Sequence, residues 1–183
     1  MDILPFTGEE YSSRIEKVIS RMSERGFDAL ILTRPQNINW LPGYRAAVMN
    51  WTLPLLVLVV TKRGEMRFMT RVIETATAET QLAPDPRTYK DHEDPYLLLA
   101  ELMLELGAES GPVGVEEAFL TVAQYEQIVR ALPKAALENC SGLVEGLRIA
   151  LSEREVAYFG RAAQITTIGF EKGLDLIQDG RYP

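Results

Sequence analysis

The amino-acid sequence predicts an α/β domain. A helical pattern over 7–25 is followed by a glycine and by a short apolar run at 29–32, so the chain begins with a helix, a turn and a buried strand. Residues 55–60 are all Leu or Val, which is typical of a strand that is buried on both faces of a sheet. A polar turn at 62–65 leads into an alternating segment at 66–70, which predicts an antiparallel partner for that strand.

The first helix has sequence signals at both ends. Thr7 followed by Glu10 matches a capping box, and Gly26 suits the left-handed residue that ends a helix after Arg25. The apolar residues between these ends fall on one face, so we expect that face to pack against the sheet. They are Tyr11, Ile15, Val18, Ile19 and Met22.

The segment from 33 to 51 is predicted to be a loop, because proline, glycine and asparagine residues interrupt any helical or strand period. It is also rich in aromatic side chains, which in a loop either bind a ligand or anchor the loop by packing. These are Trp40, Tyr44 and Trp51, with Arg45 among them.

After the hairpin, the threonine-rich segment 71–81 predicts a short helix, and Pro84 and Pro86 predict an extended connection. Asp94 before Pro95 is typical of a helix start, and Gly107 is expected to end that helix. Its apolar side consists of Leu98, Leu99, Leu102 and Leu106.

The next elements complete a domain that we assign to residues 1–150. A short strand at 113–116 precedes a helix that Thr121 and Gln124 cap and Pro133 closes. A last strand is expected at 135–137 and a helical stretch at 143–150. The buried side of the capped helix is expected to consist of Val122, Tyr125, Ile128, Val129 and Leu132.

Residues 151–183 are assigned to a separate long helix, with Ser152 and Glu155 as its cap. Three glycines within it each lower helix stability by roughly 1 kcal/mol relative to alanine, so packing has to hold it. Its apolar stripe therefore needs a surface to cover. The stripe consists of Val156, Phe159, Ala163, Phe170, Leu174 and Ile177.

Composition restricts the classes of partner. Lys and Arg total 19 against 26 Asp and Glu, and the resulting net charge of −7 repels nucleic acid and anionic lipid surfaces. One cysteine allows no internal disulfide, and the first ten residues lack the pattern of a secretory signal, so we expect a cytoplasmic protein. The longest apolar run, 53–60, is far shorter than the roughly 20 residues that span a bilayer.

Residues that could carry chemistry are few, and we predict neither a catalytic residue nor a metal ligand in this chain. His92 lies in an acidic tetrapeptide at 91–94, which we interpret as the approach to a capped helix rather than a metal loop. Cys140 is expected to be buried and inert. The acid pairs at 9–10 and 116–117 are expected to be solvated residues at helix starts. Dinucleotide-binding, P-loop and nucleophile-elbow motifs are absent from the sequence.

The aromatic loop carries the one specific site hypothesis. A guanidinium among aromatic residues can pair with a substrate carboxylate, so Tyr44, Arg45 and Trp51 are the candidate substrate-binding residues. The alternative is that Trp40 and Tyr44 anchor the loop while Arg45 is solvated.

Several short motifs occur in a fixed order along the chain. They are Glu10-Tyr11 with Arg14, Gly26 with Asp28-Ala29-Leu30, Asn37-Ile38 with Trp40-Leu41-Pro42-Gly43-Tyr44, Gly114-Val115-Glu116, and Leu147-Arg148 before Ser152 and Glu155. Together these motifs resemble the amino-terminal domain of the creatinase/prolidase family, which includes Xaa-Pro aminopeptidases, prolidases and creatinases. The sequence departs from the family at Pro42, where a small hydroxyl residue is usual, and at Leu151, where a lysine commonly precedes the serine.

The resemblance implies a mixed sheet flanked by helices. It also makes residues 151–183 the linker helix, from Ser152, and the start of a carboxy-terminal "pita-bread" catalytic domain that is expected to be missing from this chain. In the family that second domain supplies two aspartates, one histidine and two glutamates for a pair of divalent metal ions in the peptidases, whereas creatinases rely on a histidine without metal. It also implies a homodimer in which this domain reaches over the partner's active site, with Tyr44 and Arg45 at the matching loop.

Three functions follow as hypotheses. The leading one is a non-catalytic domain that serves dimerisation and substrate gating in a hydrolase acting on a C–N bond of a peptide or small amidino compound. The second is a free-standing binding module of the same fold. The third is a self-sufficient enzyme that uses His92.

Overall fold

A mixed β-sheet with helices on both faces forms the first part of the protein, as the family resemblance implied. The computed structural model describes residues 6–44, 55–76 and 86–178, and within them the sheet has six strands. The strands are β1 (Ala29–Leu32), β2 (Val57–Thr61), β3 (Met66–Arg71), β4 (Arg87–Tyr89), β5 (Gly111–Val115) and β6 (Ala135–Asn139). The helices around them are α1 (Gly8–Arg25), α2 (Pro35–Trp40), α3 (Pro95–Glu105), α4 (Val122–Ala131) and α5 (Leu143–Arg148).

The strand order is β4-β3-β2-β1-β5-β6, so the two strands predicted as buried lie at the centre. β1 pairs antiparallel with β2 and parallel with β5, and Ile31 faces Val59 in the first pair and Val115 in the second. The predicted antiparallel pairing of β2 with β3 is confirmed, while β4 and β6 are parallel edge strands. Because β1 and β5 are parallel, their carboxyl ends lie at the same edge of the sheet.

The sheet is covered on both faces, because residues of β1 and β2 alternate between two hydrophobic cores. Ile31 and Val59 belong to one core, together with apolar residues of α3 and α4. Leu30 and Val60 belong to the other, with residues of α1, α2 and α5. Burial on both sides explains the unbroken apolar run of β2.

The predicted helix starts are confirmed. The hydroxyl of Thr7 accepts from the backbone N–H of Glu10, and the Asp94 carboxylate accepts from the N–H of Tyr96 at 2.8 Å. Thr121 and Gln124 form the complete reciprocal capping box of α4. These starts depend on side chains within three residues of each other, so the local sequence is enough to define them.

Two elements lie where the sequence predicted irregular structure. The predicted loop at 33–51 contains α2. Pro35 is the first residue of this helix, and the side chains of Ile38 and Leu41 pack it against the core. The extended connection after Pro86 contains β4, which adds to the edge of the sheet beside β3. For the predicted helix at 71–81, the described residues form a 3-10 turn at Val72–Glu74 followed by helical residues at 75–76, and the remainder of the prediction lies outside the described residues.

The predicted buried side of α4 is partly wrong. Ile128 and Leu132 are buried as expected, but Val122 is 76% exposed and Val129 is 43% exposed. Gln124 lies on the buried side instead, because its amide completes the capping box. The stripe that contacts the sheet is therefore narrower than the run of apolar residues indicates.

A second unit comprises residues 148–183 and contains α6 (Glu153–Gln178). Its predicted cap is confirmed, since the N–H of Glu155 donates to the hydroxyl of Ser152 and the N–H of Ser152 donates to the carboxylate of Glu155. Most apolar side chains of α6 are exposed. Among the described residues, no helix is long and apolar enough to cross a membrane. The large exposed apolar side chains of α6 are Val156, Tyr158, Phe159, Ile165, Ile168, Phe170, Leu174, Leu176 and Ile177.

Candidate functional site

The segment that leads to the predicted substrate loop begins where β1 and β5 end. Both strands run to the same edge of the sheet, so Thr33, directly after β1, lies beside Glu116, directly after β5. α2 starts two residues beyond Thr33. In open α/β sheets this edge is the usual place for a ligand, and here a carboxylate of the chain itself lies in it.

Glu116 binds the amino end of α2. Its Oε2 accepts the backbone N–H groups of Thr33 at 2.5 Å and Arg34 at 2.7 Å, and its Oε1 accepts the side-chain amide of Asn37 at 2.5 Å. The residue is only 2% exposed. The expectation that Glu116 and Glu117 are both solvated is therefore wrong for Glu116, because it follows a buried strand rather than starting a helix.

Burial and hydrogen bonding act on Glu116 in opposite directions. Burial raises the pKa of the Glu116 carboxyl above its ordinary value, and the negative charge of Glu145 adds to that rise. The three N–H donors stabilise the ionised form and keep the pKa rise smaller. Glu145 itself is paired with the guanidinium of Arg34 at 2.9 Å, so the neighbouring charge is partly compensated.

Arg14 binds the opposite end of α2. Its Nη1 donates to the backbone carbonyl of Trp40, the last residue of the helix, at 2.6 Å, and its Nη2 contacts the carboxylate of Glu10 at 3.2 Å. The guanidinium carbon also lies over three aromatic rings, 4.1 Å from Phe6, 5.0 Å from Trp40 and 5.2 Å from Tyr11. Arg14 is only 4% exposed, which makes it a buried cation on the apolar face of α1.

The turn after α2 packs tightly against α1. Gly43 has a φ of +84°, and a Cβ at this position would lie 2.7 Å from the Cζ of Tyr11. Glycine is needed here for both reasons, the left-handed backbone and the close approach of the ring. The side-chain amide of Asn39 donates to the carbonyl of Tyr44 at 3.1 Å and closes the turn.

Tyr44 is an anchor in the core. Its ring lies 4.3 Å from that of Phe68, and its hydroxyl donates to the carboxylate of Glu74, itself buried, at 3.2 Å. Burial, followed by the negative charge of Glu74, raises the pKa of the Tyr44 hydroxyl far above its ordinary value. The phenol therefore stays neutral and can donate to the carboxylate. Arg45 and Trp51, the other two predicted site residues, lie outside the described residues.

The other candidate residues occupy structural positions. The acids around His92 have partners, since Asp91 pairs with Arg71, Glu93 accepts from the N–H of Lys90, and Asp94 caps α3. Cys140 is buried as expected, and burial raises the pKa of its thiol. Within residues 6–44, 55–76 and 86–178, no three His, Cys, Asp or Glu side chains form a group that could hold a metal ion.

Comparison with known proteins gives the family. The model of the creatinase/prolidase N-terminal domain matches residues 14–150, which include α2, Glu116 and the anchor Tyr44. The chain belongs to this family. Arg14 is the first residue of the match, and the match ends close to the start of α6.

Its relatives are hydrolases and peptidases by name. An uncharacterized hydrolase/peptidase of Sinorhizobium fredii is 29% identical over 98% of this chain and 48% of its own length. The ectoine hydrolase of Halomonas elongata is 29% identical over 97% of this chain and 47% of its own length. The Xaa-Pro dipeptidase of Bacillus anthracis has a similar structure, with a TM-score of 0.73 and 25% identity over 91% of this chain and 43% of that one. The chain thus spans about half the length of the relatives it matches.

Arg14 and Glu116 are the site residues that reasoning about single elements of this creatinase/prolidase N-terminal domain missed. A signal for Arg14 was available, because it lies three residues after Tyr11 and four before Val18 and so falls on the apolar face of α1. Glu116 follows an apolar strand directly, but its partners are about 80 residues away in sequence, and no local pattern predicts them.

Proposed function

We propose that this chain is the non-catalytic amino-terminal part of a longer hydrolase that cleaves a C–N bond of a peptide or small amidino compound. In this proposal the domain serves dimerisation and substrate gating, and the catalytic groups lie outside residues 1–183. Support comes from the family match together with the relatives, whose names describe peptidases, dipeptidases and a creatinase and which are about twice as long as this chain.

The observation that carries the gating part is the anchoring of Tyr44. Its side chain is fixed by Phe68 and Glu74, and its carbonyl is fixed by Asn39, so the backbone is held in place up to the residue before Arg45. Arg45 is the next residue. Because the backbone before Arg45 is already ordered, pairing of its guanidinium with a carboxylate would cost the rotamer freedom of that side chain but not the ordering of residues 41–44, which favours specific recognition.

Metal chemistry is assigned to the part of the protein beyond this chain. The described residues contain no ligand group for the two divalent ions that the family resemblance implies for a peptidase. The role proposed for this domain is to bind and orient the substrate.

The proposal is tested by replacing Arg45 with alanine in the full-length protein. Candidate substrates are an Xaa-Pro dipeptide, ectoine and creatine, which the names of the relatives indicate. We expect Arg45→Ala to raise KM for a carboxylate-bearing substrate about tenfold or more, the effect of losing a charge-assisted hydrogen bond, while kcat changes little. Unchanged KM would remove Arg45 from the site.

A matched control is Arg130→Ala, which removes an exposed arginine of α4 that lies 3.8 Å from the carboxylate of the likewise exposed Glu126. This variant should leave KM unchanged, because its charge is screened by solvent. Light scattering on the full-length protein tests the second part of the proposal. A dimer is expected, and a monomer that retains full activity would contradict the role in dimerisation.

A further inference from the structure

We propose that Arg14 and Glu116 are positioning residues that hold α2 at its two ends and thereby fix the backbone up to Tyr44, the residue before Arg45. The inference rests on the proposed function, since it concerns the base of the same substrate loop. The inference gives a role to Arg14 and Glu116, two buried charged residues to which the proposed function assigns neither metal nor substrate binding.

The two charges match the polarity of the helix. Glu116 provides a carboxylate at the amino end of α2, where backbone N–H groups are unpaired, and Arg14 provides a guanidinium at the carboxyl end, where carbonyl groups are unpaired. Each has the sign that the helix dipole favours at that end. Both lie in the protein interior, where such interactions are screened less than at the surface.

α2 depends on these contacts because it cannot be stable on its own. It has six residues, far fewer than an isolated helix needs, and its capping residue Arg34 makes no side-chain hydrogen bond to the first turn. Instead, the carboxylate of Glu116, which follows β5, accepts a backbone N–H at the start of the helix. The helix is therefore held by α1 and β5 rather than by its own sequence.

Arginine suits the carboxyl end better than lysine. The planar guanidinium donates to the carbonyl of Trp40 through one nitrogen and contacts Glu10 through another, while its faces lie over aromatic rings. A lysine ammonium could keep the charge but could not make both directed contacts and the stacking at once. Arg14→Lys is therefore a conservative variant that should keep the charge at the end of α2 but lose part of the contacts that hold it.

The contacts continue from α2 to the anchor. Trp40, whose carbonyl Arg14 binds, directly precedes Leu41, and Gly43 packs on Tyr11, one of the rings beside the guanidinium. Releasing either end of α2 would allow residues 41–44 to move away from α1. The backbone before Arg45 would then vary in position, and we expect this to lower the affinity for substrate without changing any group that binds it.

Hydrogen exchange of the 183-residue chain tests the inference without substrate. The variants are Arg14→Met, Arg14→Lys and Glu116→Gln, and the reporters are the amides of Asn37, Ile38 and Leu41, which are bonded within α2. We expect Arg14→Met and Glu116→Gln each to accelerate exchange of all three amides by about tenfold or more, since a short helix opens as one unit. Arg14→Lys should give a smaller acceleration.

Neighbouring residues provide the controls. Arg21→Met removes an exposed arginine of α1, and Glu117→Gln removes the exposed acid beside Glu116, so neither should alter exchange in α2. Amides of β1 and β5 report on general loss of stability. The inference is overturned if the α2 amides are unaffected, or if sheet amides accelerate by the same factor, because the residues would then be ordinary core residues.

If Arg14→Met does not fold, Arg14→Lys alone decides the matter by the same comparison. The outcome is independent of the kinetic test of Arg45. Normal exchange with a raised KM for Arg45→Ala would reject only the positioning role. Accelerated exchange with unchanged KM would reject only the gating function.

Discussion

Buried charges near α2 all have partners. Glu116 accepts three N–H donors, and Arg14 contacts a carbonyl, a carboxylate and aromatic rings. Glu74 accepts the hydroxyl of Tyr44. A buried charge is stabilised only when its hydrogen bonds are made, and removal of one partner leaves the other uncompensated. These residues therefore specify the geometry around α2 more than they contribute net stability.

The pKa of Glu116 makes stability depend on pH in a defined direction. Because burial raises that pKa above 4.5, the native state binds a proton that the unfolded state has already released over the interval between the two values. The free energy of unfolding from this group is therefore largest below the unfolded pKa and falls as pH rises through the folded pKa. Replacement by glutamine, which does not titrate, removes this dependence.

Urea unfolding of the 183-residue chain and its Glu116→Gln variant at several pH values between 4.5 and 8 measures the effect. The stability of the wild type relative to the variant should decline with rising pH, by about 1.4 kcal/mol per pH unit between the two pKa values. Glu117→Gln controls for the loss of one carboxylate. A relative stability that is constant, or that rises with pH, would contradict the burial effect.

Elements with local signals were predicted well. α1, α3 and α4 each begin with a side chain that caps its own first turn, and α1 ends at a left-handed glycine, so their starts could be identified without tertiary contacts. The central strands could be identified because burial on both faces requires a continuous apolar run.

Elements that depend on distant residues were not predicted. α2 contains asparagines and begins with a proline, and it is helical because Glu116 and Arg14 bind its ends and Ile38 attaches it to the core. β4 has three residues and is defined by its pairing with β3. For α4 the apolar pattern predicted the helix correctly but made its buried face too wide. The positions of apolar residues around a helix do not show how far the surface that packs against it extends.

The assignment of residues 1–150 as a domain leads to a prediction at the level of elements. Both hydrophobic cores consist of residues up to Leu147, and the sheet is complete within them. We therefore expect a chain ending at residue 150 to fold without α6 and to unfold cooperatively in urea. A broad, non-cooperative transition would show that residues 151–183 belong to the folding unit.

At the scale of the molecule, the family match and the architecture divide the chain at nearly the same place: the match ends at residue 150 and the first unit ends at Leu147. A mixed sheet with α2 at the exit of its parallel strands forms one unit, and α6, with its exposed apolar side chains, forms another. The apolar side chains of α6 include the stripe that the sequence predicts to cover a surface. These apolar side chains and relatives of about twice the length support the proposal that the catalytic groups lie outside residues 1–183.

The most direct test of that account is a hydrolysis assay of the purified 183-residue chain beside the full-length protein. The substrates are an Xaa-Pro dipeptide, ectoine and creatine, each with and without added Mn²⁺ or Zn²⁺. We expect the full-length protein to hydrolyse at least one of them and the 183-residue chain to show no turnover above buffer. Turnover by the 183-residue chain that His92→Ala abolishes would contradict the account and make this chain an enzyme by itself.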